Sequence, residues 1–535
     1  MRVLTSDEVR QIESEAASRA DTPRSLLVQR AGYAVAQFCL AHFKFRSVCV
    51  VCGAGSNGDY GLMAAQVLSR IAEQVSTIIL AKDASALSAE AAAICDSLAA
   101  EPVWISDEAG FQDEAGFQQE GIQQALEAEL IIDAVAGIGF KAPLEGIARK
   151  EVEAINQASG IVVSVGVPSG VESDSDAPVH EGASHAVFAH GVITFVAPSP
   201  AHVFGKLTAG PIAVSELGVQ PSLVSHETGL SVVTAQEVRI TFPPRPEEAH
   251  KGDFGHVLVI GGALDHAGGA ALAGIAALRT GAGLVTVACP RSAQPTIAGF
   301  APELMTEGLA ESARGALASA ARDKVGELLA KADAVVVGPD TPRDDETAKF
   351  MRWLIGNCAV PLVVDAGVIE AFEKRAEKSD DQRLRVIVLD VEDAAAFLRI
   401  QIKEVEADRI DAACRVARET GLCVVLKGHW TIIAGRSGET WISMTGNSAL
   451  AKNGFDVALC GMIAAALARH SSDRTALLRE LDVASAVYLH GLAGDLARDI
   501  FHENTLLATD LLETLSDAFR DCELQSDRGL FYLRK

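Results

Sequence analysis

Three segments in the first two hundred residues carry oxygen-bearing side chains just after apolar runs: Asn57 in CGAGSNGDYG, Asp133 in LIIDAVAGIGFKAPLEG and Ser169 in VGVPSG. An amide oxygen, a carboxylate and a hydroxyl are hard ligands, suited to an alkali or alkaline-earth cation. The first segment also sets Gly53, Gly55 and Gly58 in G-x-G-x-x-G spacing. Such glycines let backbone approach a phosphate while a following helix N-terminus supplies N–H donors. Asp83, near the end of the next apolar run, is a candidate ribose partner. Taken singly, each polar residue is more often a turn or cap residue.

A second group lies far along the chain. In NSALAKNGFDVALCG, Gly454 and Asp456 stand at the start of an apolar helical pattern. N–H groups exposed there can hold a phosphate, and the carboxylate can accept a hydroxyl proton. A carboxylate at that position is equally an ordinary helix cap. No GxxxxGK[ST] stretch occurs, which excludes a P-loop.

These residues need scaffolds. From Ser6 to about His42 the apolar spacing predicts two amphipathic helices broken near Asp21-Thr22-Pro23. Short β-branched runs (SVCVVCG, STIILAK, PVWIS, LIIDA, GIVVSV, VITFV) then alternate with helical segments, the pattern of a mostly parallel sheet. The pattern lapses between Leu217 and Pro246, which reads as a linker, and a second series begins with HVLVIGG. The expectation is α/β throughout: two three-layer α/β/α domains in tandem, at 1–222 and 231–535.

The 535 residues exceed what one core usually serves. With 46 Lys and Arg against 71 Asp and Glu, the net charge of -25 repels polyanions, arguing against nucleic-acid and anionic-membrane partners. The opening MRVLTSDEVRQIESEA lacks the apolar core of a signal peptide, and VALCGMIAAALA from Val457 is too short to span a bilayer. A cytoplasmic protein is expected. The ten cysteines are scattered and read as reduced core thiols.

Taken together, LLVQRAGYAVA, GAGSNGDYGLMAA, IIDAVAGIGFKAPLEG, VPSGV, HKGDFGHVLVIGG, GGAALAGIAALRTGAGLVTVA, LKGHWT and the MTGNSALA to GFDVALCG run resemble the bifunctional NAD(P)H-hydrate repair enzymes over nearly the whole chain. The resemblance implies a Rossmann-like N-terminal epimerase domain fused to a ribokinase-like, ADP- or ATP-dependent dehydratase domain. The small-molecule substrate would be NADHX or NADPHX, and magnesium and potassium would be cofactors; a homo-oligomer is left open. Potassium ligands would be Asn57, Asp133 and Ser169. Hydrate contacts would come from Asn57, Gly58, Asp59, Gly137, Gly139, Ala270 and Asp456. The nucleotide would meet Lys427, Gly428, Thr431 and Gly454, with Asp456 as catalytic base.

Several positions depart from the family's pattern. Gly166 stands where VDIPSG would carry a catalytic aspartate, and SNGDYG puts Tyr60 where NNGGDG has one. GPDTP replaces GPGLG, DAG replaces DAD, and NGFD replaces GGSGD, setting Phe455 where it could fill the anion site. Glycine exchanges no proton, so this reading expects weak or absent epimerisation and a better preserved dehydratase. Two rival readings are a catalytically silent nucleotide-binding or assembly protein and, from G-x-G-x-x-G alone, an NAD-dependent oxidoreductase.

Overall fold

The computed structural model describes residues 1–18, 22–106, 117–175, 186–220, 223, 229–341, 345–371, 383–469 and 474–534. Two compact units form, one of Met1–Glu227 with Gln525–Lys535 and one of Thr228–Leu524.

In the first unit the leading residues fold as expected into helices Ser6–Ala17 and Arg24–His42. Strands β1 (Ser47–Gly53), β2 (Gln74–Leu80), β3 (Val103–Trp104), β4 (Leu130–Ala134), β5 (Ile161–Val165), β6 (Gly191–Phe195) and β7 (Ile212–Ser215) form a parallel sheet in the order β3-β2-β1-β4-β5-β6-β7. This is the doubly wound Rossmann arrangement, whose order reverses between β1 and β4 and opens a crevice at their carboxyl ends. The unbroken apolar reading of SVCVVCG follows from burial of nearly all of β1, because helices cover both faces.

The second unit contains β8 (Leu230–Val232), β9 (His256–Ile260), β10 (Leu284–Pro290), β11 (Met305–Leu309), β12 (Ala334–Val337), β13 (Leu362–Asp365), β14 (Arg385–Leu389), β15 (Cys423–Leu426), β16 (Thr431–Ala434) and β17 (Thr440–Ser443). Their order is β11-β10-β9-β12-β13-β14-β15-β16-β17-β8, parallel from β11 to β15 and antiparallel at β15/β16 and β16/β17. Helices Gly268–Thr280 and Phe455–Ala468 pack so tightly that a Cβ on Gly461 would lie 2.1 Å from the Ala273 carbonyl oxygen. Small residues there let the two helix backbones approach each other.

The domain limits differ from expectation at both ends. Residues 230–232 of the supposed linker pair with β17, and the chain's last strand, β18 (Leu530–Arg534), adds antiparallel to β7 in the first sheet. The run LFYL is apolar throughout, which does not name its distant partner. Among the described residues, no helix is long and apolar enough to cross a membrane.

Candidate functional sites

In the first unit a cavity of about 370 Å³ occupies the crevice. Ser56 and Asn57 reach it from the helix start after β1, Gly137 and Gly139 from the loop after β4, and Gly166 from the end of β5. The Asn57 amide packs against both neighbours: its oxygen would lie 3.2 Å from a Cβ on Gly166 and 2.7 Å from one on Gly137. Asn57 Nδ2 is buried without a hydrogen-bond partner. Gly166 adopts a left-handed φ of 75°, its N–H donates to Ile193 O at 2.8 Å, and its carbonyl accepts from His202 Nε2 at 2.8 Å. Burial pushes the His202 imidazole down to about 4, so it is the neutral donor that this carbonyl requires.

Asp133 is fully buried behind this loop. Its Oδ2 accepts from Ser164 Oγ at 2.8 Å and Ser169 N at 2.9 Å, and its Oδ1 from Ser169 Oγ at 2.5 Å. Burial raises its pKa against these stabilising hydrogen bonds. Asp133 and Ser169 are therefore joined directly.

Gly58 and Asp59 do not line the cavity, contrary to the hydrate-contact expectation. A Cβ on Gly58 would fall 1.8 Å from Gly53 O, so this glycine serves helix-to-strand packing. Asp59 is buried, pairing with Arg24 Nη2 at 2.7 Å and accepting from Ser88 Oγ at 2.9 Å. Asp83 is exposed and caps a 3₁₀ turn by accepting from Ser85 N at 2.9 Å. Sequence reading missed Glu13 and took Tyr60 only as the replacement of an aspartate; both line the cavity, with the Tyr60 hydroxyl donating to Glu13 Oε1 at 3.2 Å.

The second unit holds a larger cavity, of about 900 Å³, with Lys427, Gly428, Thr431 and Asp456 in its wall. Lys427 follows β15, Thr431 opens β16, and Asp456 lies on the first turn of the helix Phe455–Ala468, whose cap Gly454 has φ 98°. Lys427 Nζ lies 3.2 Å from Asp456 Oδ2. Two unanticipated residues shape the walls. Arg409 donates to the carbonyls of His429, of Trp430 at 3.0 Å, of Leu426 at 3.2 Å and of Lys427 at 2.9 Å, clamping the Lys427–Thr431 loop. Asp495 accepts from Gly446 N at 2.9 Å and Asn447 Nδ2 at 2.9 Å, fixing the opposite wall.

Phe455 does not fill the anion site. Its side chain is 2% exposed, its ring meets His490 edge-on at 6.3 Å, and its carbonyl accepts from His490 Nε2 at 3.0 Å. Phe455 stands in the cavity wall with its side chain buried, and on the same first turn the Val457 N–H donates to Asp456 Oδ1 at 2.9 Å. Ala270 is fully buried and lies outside this cavity. Beside it, Gly269 N donates to Asp340 Oδ2 at 2.5 Å, so the aspartate of GPDTP caps that helix. Asp365, at the end of β13, is raised to about 6, chiefly by burial and then by the negative charges of Asp456 and Asp340.

Residues 257–517 match the family model for NAD(P)H-hydrate dehydratase, and residues 24–201 match that for the YjeF-related protein N-terminus. The bifunctional NAD(P)H-hydrate repair enzyme of Moorella thermoacetica is 31% identical over 98% of this chain and 97% of its own. The chain belongs to the bifunctional NAD(P)H-hydrate repair enzymes. The Escherichia coli member is 30% identical over 96% of this chain and 93% of its own. Among solved structures, the Bacillus subtilis ADP/ATP-dependent NAD(P)H-hydrate dehydratase co-crystallized with ATP/Mg2+ is 27% identical, covering 55% of this chain and 100% of that one at a TM-score of 0.46.

Membership in this repair family bears out the resemblance read from the sequence. It also gives the two cavities distinct places: the smaller lies within the span of the N-terminal family model, apart from Val9, Arg10 and Glu13 of the first helix, and the larger within that of the dehydratase.

Proposed function

We propose that this chain repairs hydrated NADH and NADPH, and that its second unit dehydrates the S hydrate at the expense of ADP or ATP. The observation that carries the reading is Asp456, set on the first turn of an apolar helix, facing a cavity of about 900 Å³ and 3.2 Å from Lys427 Nζ. Asp456 takes the proton as the hydrate's hydroxyl oxygen bonds to the terminal phosphorus of the nucleotide and the bridging P–O bond breaks, releasing AMP from ADP or ADP from ATP. The helix N-terminus and Lys427 hold the phosphate charge, and the Lys427–Thr431 loop receives the adenylate part. Phosphate then leaves with the carbon–oxygen bond while the neighbouring carbon gives up a proton, restoring the dihydronicotinamide double bond. Magnesium, entering with the nucleotide, would neutralise phosphate charge.

The first unit's cavity suits the hydrated ring of the dinucleotide. We propose that Asp133 and Ser169, with Asn57 as the third expected ligand, would hold a potassium ion, because Asp133 is a fully buried carboxylate with only neutral hydrogen-bond donors against it. A monovalent cation would supply the missing compensating charge. The test of the main reading is purified S hydrate with magnesium and ADP or ATP. Recovery of the dihydronicotinamide absorbance is expected, and its absence with both nucleotides would sink the reading.

A further inference from the structure

Gly166 leaves the end of β5 without a proton-exchanging group, yet the same cavity contains one from a different element. Glu13 belongs to the helix Ser6–Ala17 and Tyr60 to the helix Ser56–Leu68. Their side chains meet at 3.2 Å, and both line the cavity that Gly137 and Gly166 also line. Tyr60 is 8% exposed and pinned by an edge-on contact with Phe195 at 4.9 Å, so the hydroxyl that Glu13 accepts from has a fixed position.

The chemistry of the substrate says what such a pair could do. Water adds to the enamine of a dihydronicotinamide so that the hydroxyl sits on the carbon beside the ring nitrogen. Inverting that carbon needs the hydroxyl to leave: it gains a proton and departs as water while the nitrogen lone pair forms a C=N bond. Water then adds to the opposite face and returns one proton, so nothing is consumed. One carboxyl able to give and retake a proton suffices.

We propose that Glu13, positioned by Tyr60, passes this proton in place of the carboxylate absent at Gly166, making the first unit an epimerase of the hydrates. Two observations support the assignment beyond placement. Burial raises the Glu13 carboxyl against the opposing pull of Tyr60, Arg24 and Arg10, which favours a group that holds a proton nearer neutrality. Burial and the Glu13 charge also raise the Tyr60 phenol, so it stays a donor. The inference rests on the reading that the first unit binds the hydrate.

The test uses the full chain without nucleotide, so that the second unit consumes nothing, and follows pure R hydrate by chromatographic separation of R and S. Interconversion well above the spontaneous rate is expected. Glu13→Gln should lower turnover by ~10²- to 10⁴-fold with little change in the KM for hydrate. Tyr60→Phe, which leaves the carboxyl but frees it, should lower turnover by about tenfold, and Glu13→Asp should retain part of the rate. If Glu13→Gln does not fold, judged by its thermal transition, the comparison of Glu13→Asp and Tyr60→Phe decides, and full rates in both overturn the proposal. So does unmodified protein no faster than buffer, or a folded Glu13→Gln with unchanged turnover. If S hydrate is dehydrated with nucleotide while R hydrate changes only spontaneously, this inference alone fails. If neither reaction occurs, the reading of the whole chain fails.

Discussion

Lys427 Nζ lies 3.2 Å from Asp456 Oδ2, with the two side chains 29% and 35% exposed. An ion pair this open to water adds little to stability. Its value is positional, since Lys427 orients the carboxylate in the absence of nucleotide and can turn to a phosphate when one enters. Asp456→Asn is therefore expected to abolish dehydration while nucleotide still binds, because the amide keeps the shape and loses the base. Binding is read separately as a rise in Tm, since ligand at about a hundred times its Kd stabilises a fold by ~2.7 kcal/mol. Turnover by Asp456→Asn would place the base elsewhere.

Arg409 closes the Lys427–Thr431 loop through four backbone carbonyls. Arg409→Met should raise the KM for nucleotide by about tenfold, because losing the loop's fixed geometry weakens binding by ~1–2 kcal/mol. Dehydration at saturating nucleotide should change far less, since Asp456 is on another element. A steady-state comparison at two nucleotide concentrations separates the two effects.

Asp133 is expected to make the first unit sensitive to potassium. Replacing potassium by a large organic cation at equal ionic strength should lower Tm in the unmodified protein. Asp133→Asn should abolish this difference, because a neutral amide needs no compensating charge. Equal sensitivity in both proteins would remove Asp133 from the cation site.

Glu151 is fully buried on the helix Gly146–Gln157, both of its oxygens lack a hydrogen-bond partner, and burial raises its pKa to about 7. The folded-state value is above the unfolded one, so its contribution is fully present below the unfolded pKa of ~4.3. That contribution is lost as pH rises through about 7. Glu151→Gln should match the unmodified protein near pH 4 and be more stable by ~3–4 kcal/mol at pH 8, measured by denaturant unfolding. A constant difference across the range would assign the effect to packing.

The core strands were legible because burial on both sheet faces demands continuous β-branched runs, as in SVCVVCG and GIVVSV. Asp456 was legible because a glycine and an acid before a long apolar helix leave a local trace. Phe455 was read as an obstacle because spacing gives its position on the helix but not its direction, and the core beneath that turn took the ring.

Sequence alone therefore determined the α/β class, the tandem organisation, the family and the residues that sit where strands end, since each depends on local pattern and chain order. Tertiary structure decided which of those residues share a cavity. It turned Asp59 to Arg24 and Gly58 to the β1 backbone, and it returned β18 to the first sheet. It also carried Glu13 from a helix some forty residues upstream into contact with Tyr60. The reason is physical: a hydrogen bond between side chains on separate helices is fixed by how those helices pack on the sheet, and neither helix's own periodicity encodes that packing.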